Sequence, residues 1–137
     1  MRTLRSISRE RPEPVIIHGV QAYPRSRVAA MIALQNANHK CEIDSFHRTF
    51  ERRVDALPYM ESHHLIPMAA QGEYDVSIDV PENIVSLCSS CHNEIHYGKN
   101  AVKLIEQLYN SRVHLLEQND IFVSLPQLLK YYGLKND

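Results

Sequence analysis

A chain of 137 residues with 44% hydrophobic composition can bury one modest core and is too apolar for wholesale disorder. No apolar run approaches the ~20 residues a membrane span needs, and the arginine-rich lead-in lacks the apolar stretch of a secretory signal, so a cytoplasmic protein with reduced cysteines is expected. Net charge is −1, which excludes a global polyanion-binding signature, but residues 1–53 carry ten Lys/Arg against five acids, leaving the remainder acidic.

Residues 1–23, basic and broken by Pro12 and Pro14, read as an arm or poorly ordered lead-in. Residues 24–137 then form a single domain. From Pro24 to about Asn38 the pattern is helical, with Val28, Met31, Ile32 and Gln35 on one stripe. Cys41 opens a compact polar segment running to Phe50. Tyr59 to Ile66 reads as a strand halted by Pro67. The stretch 68–82, with Gly72 and Pro81, reads as a long surface loop holding a short strand near Val76–Val80, and loops of that length often carry function. Ile84–Leu87 is a short apolar strand, followed by a helix from about Ser90 to Tyr97 that Gly98 ends. C-terminal helices fill 100–133. The first has Asn100 as cap and packs Val102, Ile105, Leu108, Tyr109, Leu115 and Leu116; the second starts at Ser124 and stops at Gly133.

Cys88 and Cys91 form a C-x-x-C pair, the spacing that aims two thiolates at one ion. A tetrahedral zinc needs two more ligands, and Cys41 is the remaining cysteine. The fourth comes from His47 or Asp44; imidazole is the commoner companion of three thiolates, so His47 is preferred. Three other readings are weaker, the plainest being buried core cysteines with no ligand. A redox pair lacks the βαβ context of thioredoxin-like proteins. The literal haem-attachment match at Cys88-Ser-Ser-Cys91-His92 expects export and leaves Cys41 and the His63-His64 pair unexplained.

His63 and His64 are adjacent, so on a strand they point to opposite faces, and at its end both can approach one site. One can bind a metal while the other takes a proton, for which neutral imidazole is well matched near pH 7. His92 and His96 are four apart and share a helix face. His18, His39 and His114 show no partner pattern.

Glu61-Ser-His63-His64-Leu-Ile-Pro67, followed by Asn83-Ile-Val-Ser-Leu-Cys88-x-x-Cys91-His92, resembles the HNH endonuclease family, in particular the zinc-containing HNH domains of bacterial and phage restriction-type proteins. The motif core covers residues 41–98. The resemblance implies an α+β fold: a small ββα-metal core with a structural zinc knuckle, preceded by one helix and followed by two. It implies a metal-dependent DNA endonuclease that leaves 5′-phosphate and 3′-hydroxyl ends. His64 matches the base that activates water. His63 and His92 match ligands of the catalytic ion, with His96 as the extra histidine of colicin-type members. Asn83 matches the asparagine that holds the loop, and Glu61 the acid that in some members positions a phosphate-binding arginine, here Arg48, Arg52 or Arg53. Mg²⁺ or Mn²⁺ is the expected catalytic ion, though three imidazoles also suit Ni²⁺, Co²⁺ or Zn²⁺. One active site per chain would suit a homodimer for cutting both strands. The chain departs from the family in having Asp44 where many members carry a second knuckle cysteine. The alternative function is a non-catalytic, zinc-bound DNA-binding module.

Overall fold

The computed structural model describes residues 9–17 and 19–135. A short antiparallel hairpin, β1 (Val15–Ile17) and β2 (Val20–Ala22), turns at Gly19, whose φ of 77° lies in the left-handed region glycine favours. Helix α1 (Arg27–Asn36) follows, its first turn capped by the Ser26 hydroxyl accepting from the Ala29 amide at 3.1 Å. Strand β3 (Glu61–His64) pairs antiparallel with β4 (Ile84–Leu87), Glu61 opposite Leu87 and His64 opposite Ile84. Helix α2 (Ser89–Tyr97) leaves β4 directly, and α3 (Ala101–Gln118) and α4 (Leu125–Tyr131) complete the chain. This is the expected α+β arrangement: a ββα core with one helix before it and two after.

Several expectations are corrected. The lead-in expected to be a loose arm is tied down within its described part. The Ser77 amide donates to the Arg9 carbonyl at 2.7 Å, and Arg11 donates to the carbonyls of Gly72 and Tyr74. Residues 1–8 lie outside the described residues. On α1 the buried face is the alanine one: Ala29 and Ala33 pack on Ile84, while Val28 is 59% and Met31 52% exposed. Small side chains on that face let the helix pack directly against Ile84. On α3 the inward face is Ala101, Ile105, Leu108 and Leu116, and Leu115 turns outward. Asn100 precedes α3 but lends it no side-chain cap.

The short strand expected near Val76–Val80 shrinks to one antiparallel bridge, Val76 with Glu10, because side chains take most of the remaining backbone groups. Buried Gln71 accepts from the Ile78 amide and donates to the Val76 carbonyl, both at 2.8 Å. The Ser77 hydroxyl accepts from the Asp79 amide, and Asn83 donates to the Ile78 carbonyl. Two 3₁₀ turns, Met68–Glu73 and Pro81–Asn83, bracket the loop. A buried polar loop must satisfy its amides and carbonyls somewhere, and here glutamine and asparagine do what a neighbouring strand would otherwise do. Arg112 of α3 braces the same region, donating to the Pro81 and Glu82 carbonyls and to the Glu42 carboxylate.

Candidate active site and metal centres

Two clusters of ligand-type side chains draw on α2, where the neighbours Cys91 and His92 belong to different clusters. Cys41, His47, Cys88 and Cys91 present one ligand atom each, all within 4.8 Å of one another; His63, His92 and His96 do the same. The first cluster forms because α2 begins at Cys88. Its sulfur caps the helix, accepting from the Cys91 amide at 3.4 Å, and the turn between them points both thiols the same way. Cys41 arrives from the end of α1, locked to β4 by the Glu42 amide donating to the Ser86 carbonyl at 2.8 Å. His47 Nδ1 lies 3.4 Å from the Cys91 sulfur and 3.6 Å from that of Cys88. Asp44, the alternative fourth ligand, stands behind: one oxygen accepts from the Phe46 amide and the other lies 3.8 Å from His47 Nε2.

The electrostatics of this cluster favour a cation. Burial opposes ionisation of Cys41, but amides of Cys88, Asp44 and Ile43 and the His47 side chain outweigh it, bringing the thiol down to about 7. Burial and the neighbouring sulfurs push Cys91 the other way, upward. The three thiols are buried with no disulfide among them, and a zinc ion would stabilise three thiolates together. The residues fit a structural zinc.

In the second cluster the three imidazole rings stand 5.0–5.2 Å apart, centre to centre. His63 comes from β3, and His92 and His96 from successive turns of α2. Burial, then the charges of His92, His96 and His64, push His63 down to about 3, so it stays neutral and keeps a lone pair for a metal. Burial and His92 lower His96 as well. Glu61 receives His92 Nδ1 at 2.7 Å, the Tyr59 hydroxyl at 2.8 Å and the Ser89 hydroxyl at 3.0 Å. The His92 bond outweighs burial and holds the Glu61 carboxyl below its ordinary range. A carboxylate on Nδ1 leaves Nε2 as the ligand atom, the usual arrangement around metal-binding histidines. Glu61 meets no arginine among the described residues, contrary to the role the resemblance suggested. Arg48, Arg52 and Arg53 lie on the 44–59 segment, Arg52 turned toward Asp55 at 3.4 Å, and none of them lines the cleft.

That cleft, about 650 Å³, opens between the end of β3, α2 and the C-terminal end of α4, and His63, His64, His92, His96 and Arg25, just before α1, all line it. His64 Nε2 contacts Asp79 Oδ1 at 2.8 Å, and the other oxygen of Asp79 accepts from the Ser26 amide at 2.5 Å. Asn83 is wholly buried. Its side-chain oxygen accepts from the Ile66 amide and its nitrogen donates to the carbonyls of Ile66 and Ile78. The loop is thereby closed onto the end of β3, where His64 sits. Tyr132, at the end of α4, lies 2.8 Å from His63 Nε2.

Residues 41–98 match the description "HNH endonuclease". The match to that family takes in every residue of both ligand clusters. The type IV methyl-directed restriction enzyme EcoKMcrA of Escherichia coli K12 is 38% identical over 98 residues, a stretch covering 71% of this chain and 33% of that protein. Among solved structures, the type IV phosphorothioation-dependent restriction endonuclease ScoMcrA superposes with a TM-score of 0.54 and 28% identity, over 72% of this chain and 20% of that one. The chain thus spans a third or less of the relatives it matches. No helix among the described residues is long and apolar enough to cross a membrane. Three residues beside the HNH histidines were not singled out from sequence: Asp79, Arg25 and Tyr132. None stands at a metal-ligand spacing, and Tyr132 is 69 residues from its partner.

Proposed function

We propose that this chain hydrolyses phosphodiester bonds of DNA with a divalent metal, His64 acting as the base that activates water. The observation that carries the reading is the cleft in which His64, backed by Asp79, faces a cluster of three imidazoles. Asp79 accepts the Nε2 proton of His64, which leaves Nδ1 as the proton acceptor and stabilises the imidazolium formed when a water is deprotonated. The Ser26 amide keeps Asp79 in line, and Asn83 keeps the loop, and with it Asp79, against the strand end. A divalent ion held by His63, His92 and His96 would supply positive charge to the phosphate and its leaving oxygen. Mg²⁺ and Mn²⁺ fit the hydrolysis; Ni²⁺, Co²⁺ and Zn²⁺ fit the ligand set. Arg25 is the cation positioned to meet a phosphate in the cleft, in place of Arg48, Arg52 or Arg53. Cys41, His47, Cys88 and Cys91 fasten the fold around a zinc.

The relatives' printed names speak of restriction directed by DNA modification, and a restriction-type role in the cytoplasm, carried by one domain over 24–137, is part of this proposal. The paired His64 and Asp79 speak against a purely DNA-binding module, which has no use for an oriented proton acceptor. Incubating the protein with unmodified, methylated and phosphorothioated plasmid and a panel of divalent metals is the test. Metal-dependent nicking is expected, with His64→Ala reducing it roughly 10²- to 10⁴-fold. Undiminished cleavage by His64→Ala would overturn the assignment of the base.

A further inference from the structure

We propose that Tyr132, outside the segment that carries the HNH motifs, is a positioning residue that fixes the tautomer of His63 and presents its Nδ1 to the metal. The role rests on the reading that His63, His92 and His96 hold an ion. A tyrosine hydroxyl has one proton to give. That of Tyr132 goes to the Leu65 carbonyl at 2.5 Å, with the His64 carbonyl farther off at 3.4 Å. The 2.8 Å contact with His63 Nε2 therefore has the imidazole as donor and the tyrosine oxygen as acceptor. His63 is 5% exposed, so no bulk water competes for that nitrogen. With Nε2 protonated, the lone pair sits on Nδ1. His92 is set in the opposite sense, its Nδ1 on Glu61 and Nε2 open. Two ligands of one ion are thus oriented by two different second partners, a carboxylate and a hydroxyl.

The hydroxyl can do this because its own position is firmly held. Leu128 and Leu129 are fully buried, the Tyr132 and Leu134 amides both donate to the Leu129 carbonyl, and Gly133 turns the chain at φ 73°. Tyr131 next to it also lines the cleft but bonds to Glu73 and Tyr74 instead of a histidine. That difference supplies a control on the same helix.

The test is calorimetric titration of Ni²⁺ into protein already loaded with one equivalent of zinc. Tyr132→Phe keeps the ring and is expected to weaken Ni²⁺ binding by on the order of 10- to 100-fold, the usual effect of losing a ligand's hydrogen-bond partner. Tyr131→Phe is expected to leave it unchanged. Wild-type affinity in Tyr132→Phe, or tighter binding because the hydroxyl competes with the ion, overturns the proposal while leaving the ion site standing. Equal Ni²⁺ affinity in wild type and His63→Ala removes the ion site itself, and this role with it. A second measurement needs no variant: long-range ¹H–¹⁵N correlation on the metal-free wild type should show His63 protonated on Nε2, and a proton on Nδ1 would refute the assignment.

Discussion

Replacing Asn83 with alanine should cost far more than its size suggests. The side chain is wholly buried and makes three hydrogen bonds, from the Ile66 amide and to the carbonyls of Ile66 and Ile78. Alanine leaves all three backbone groups without a partner in a place water does not reach. At ~1 kcal/mol for each lost bond, with an added penalty for groups left dry, the loss is about 3–5 kcal/mol. That is a large part of the ~5–15 kcal/mol by which small domains are stable, and it corresponds to a fall in Tm of roughly 10–20 °C. Asn83→Asp is expected to be at least as damaging at neutral pH, since it keeps the acceptor for Ile66 but turns a buried negative charge toward two carbonyls. Thermal melts by circular dichroism and urea titrations of the zinc-loaded proteins would measure both. A drop in Tm under about 3 °C for Asn83→Ala would refute the reasoning that this side chain substitutes for a missing strand.

Asp79→Asn should lower kcat at least ~10-fold with KM within about twofold, because the base loses orientation and charge support rather than substrate contact; an unchanged kcat contradicts it. Cys88→Ser, like a strong chelator, should release zinc and collapse cooperative unfolding, since binding energy at such sites is folding energy; a melt equal to wild type refutes a structural metal. Arg25→Ala should leave the melt unchanged and reduce the slope of log affinity against log salt by roughly 0.9 for duplex DNA, the mark of one lost phosphate contact; an unaltered slope removes Arg25 from the interface. In protein without an ion at the histidine cluster, His63 titrates in the folded state at about 3, below its ordinary 6.5. The unfolded chain therefore binds the extra proton between those values. Stability is full above about 6.5 and falls with pH toward about 3, by up to ~1.4 kcal/mol per unit from this group. A urea midpoint that stays flat over that range would disprove the burial argument.

Much of the site was legible because metal ligands obey local spacing. Cys88 and Cys91 bracket one turn, His92 and His96 share one face, and the flanking apolar runs mark β4 and the later helices. What stayed hidden depends on contacts that spacing does not encode. The buried face of α1 could not be read from hydrophobicity, because close approach to Ile84 favours Ala29 and Ala33 over the larger Val28 and Met31. Val76–Val80 looks like a strand by composition, yet beyond one bridge to Glu10 its backbone groups bond to the side chains of Gln71 and Asn83. The family pattern offers Glu61 an arginine, whereas the short reach from β3 to the start of α2 gives it to His92. Asp79 is one acid in a long loop, and only the fold brings it to His64.

The anchoring of Asp79 bears on how portable this nuclease is. Its outer oxygen rests on the amide of Ser26, at the mouth of α1, so a bond that steadies the base belongs to chain lying before the first motif residue. Ala29 and Ala33 of that helix also roof the strand at whose end the base stands. An excised 41–98 fragment would carry away every signature residue and leave this scaffolding behind. Grafted into another protein, it would be a set of ligands without alignment; the transplantable unit takes in at least Ser26 and α1.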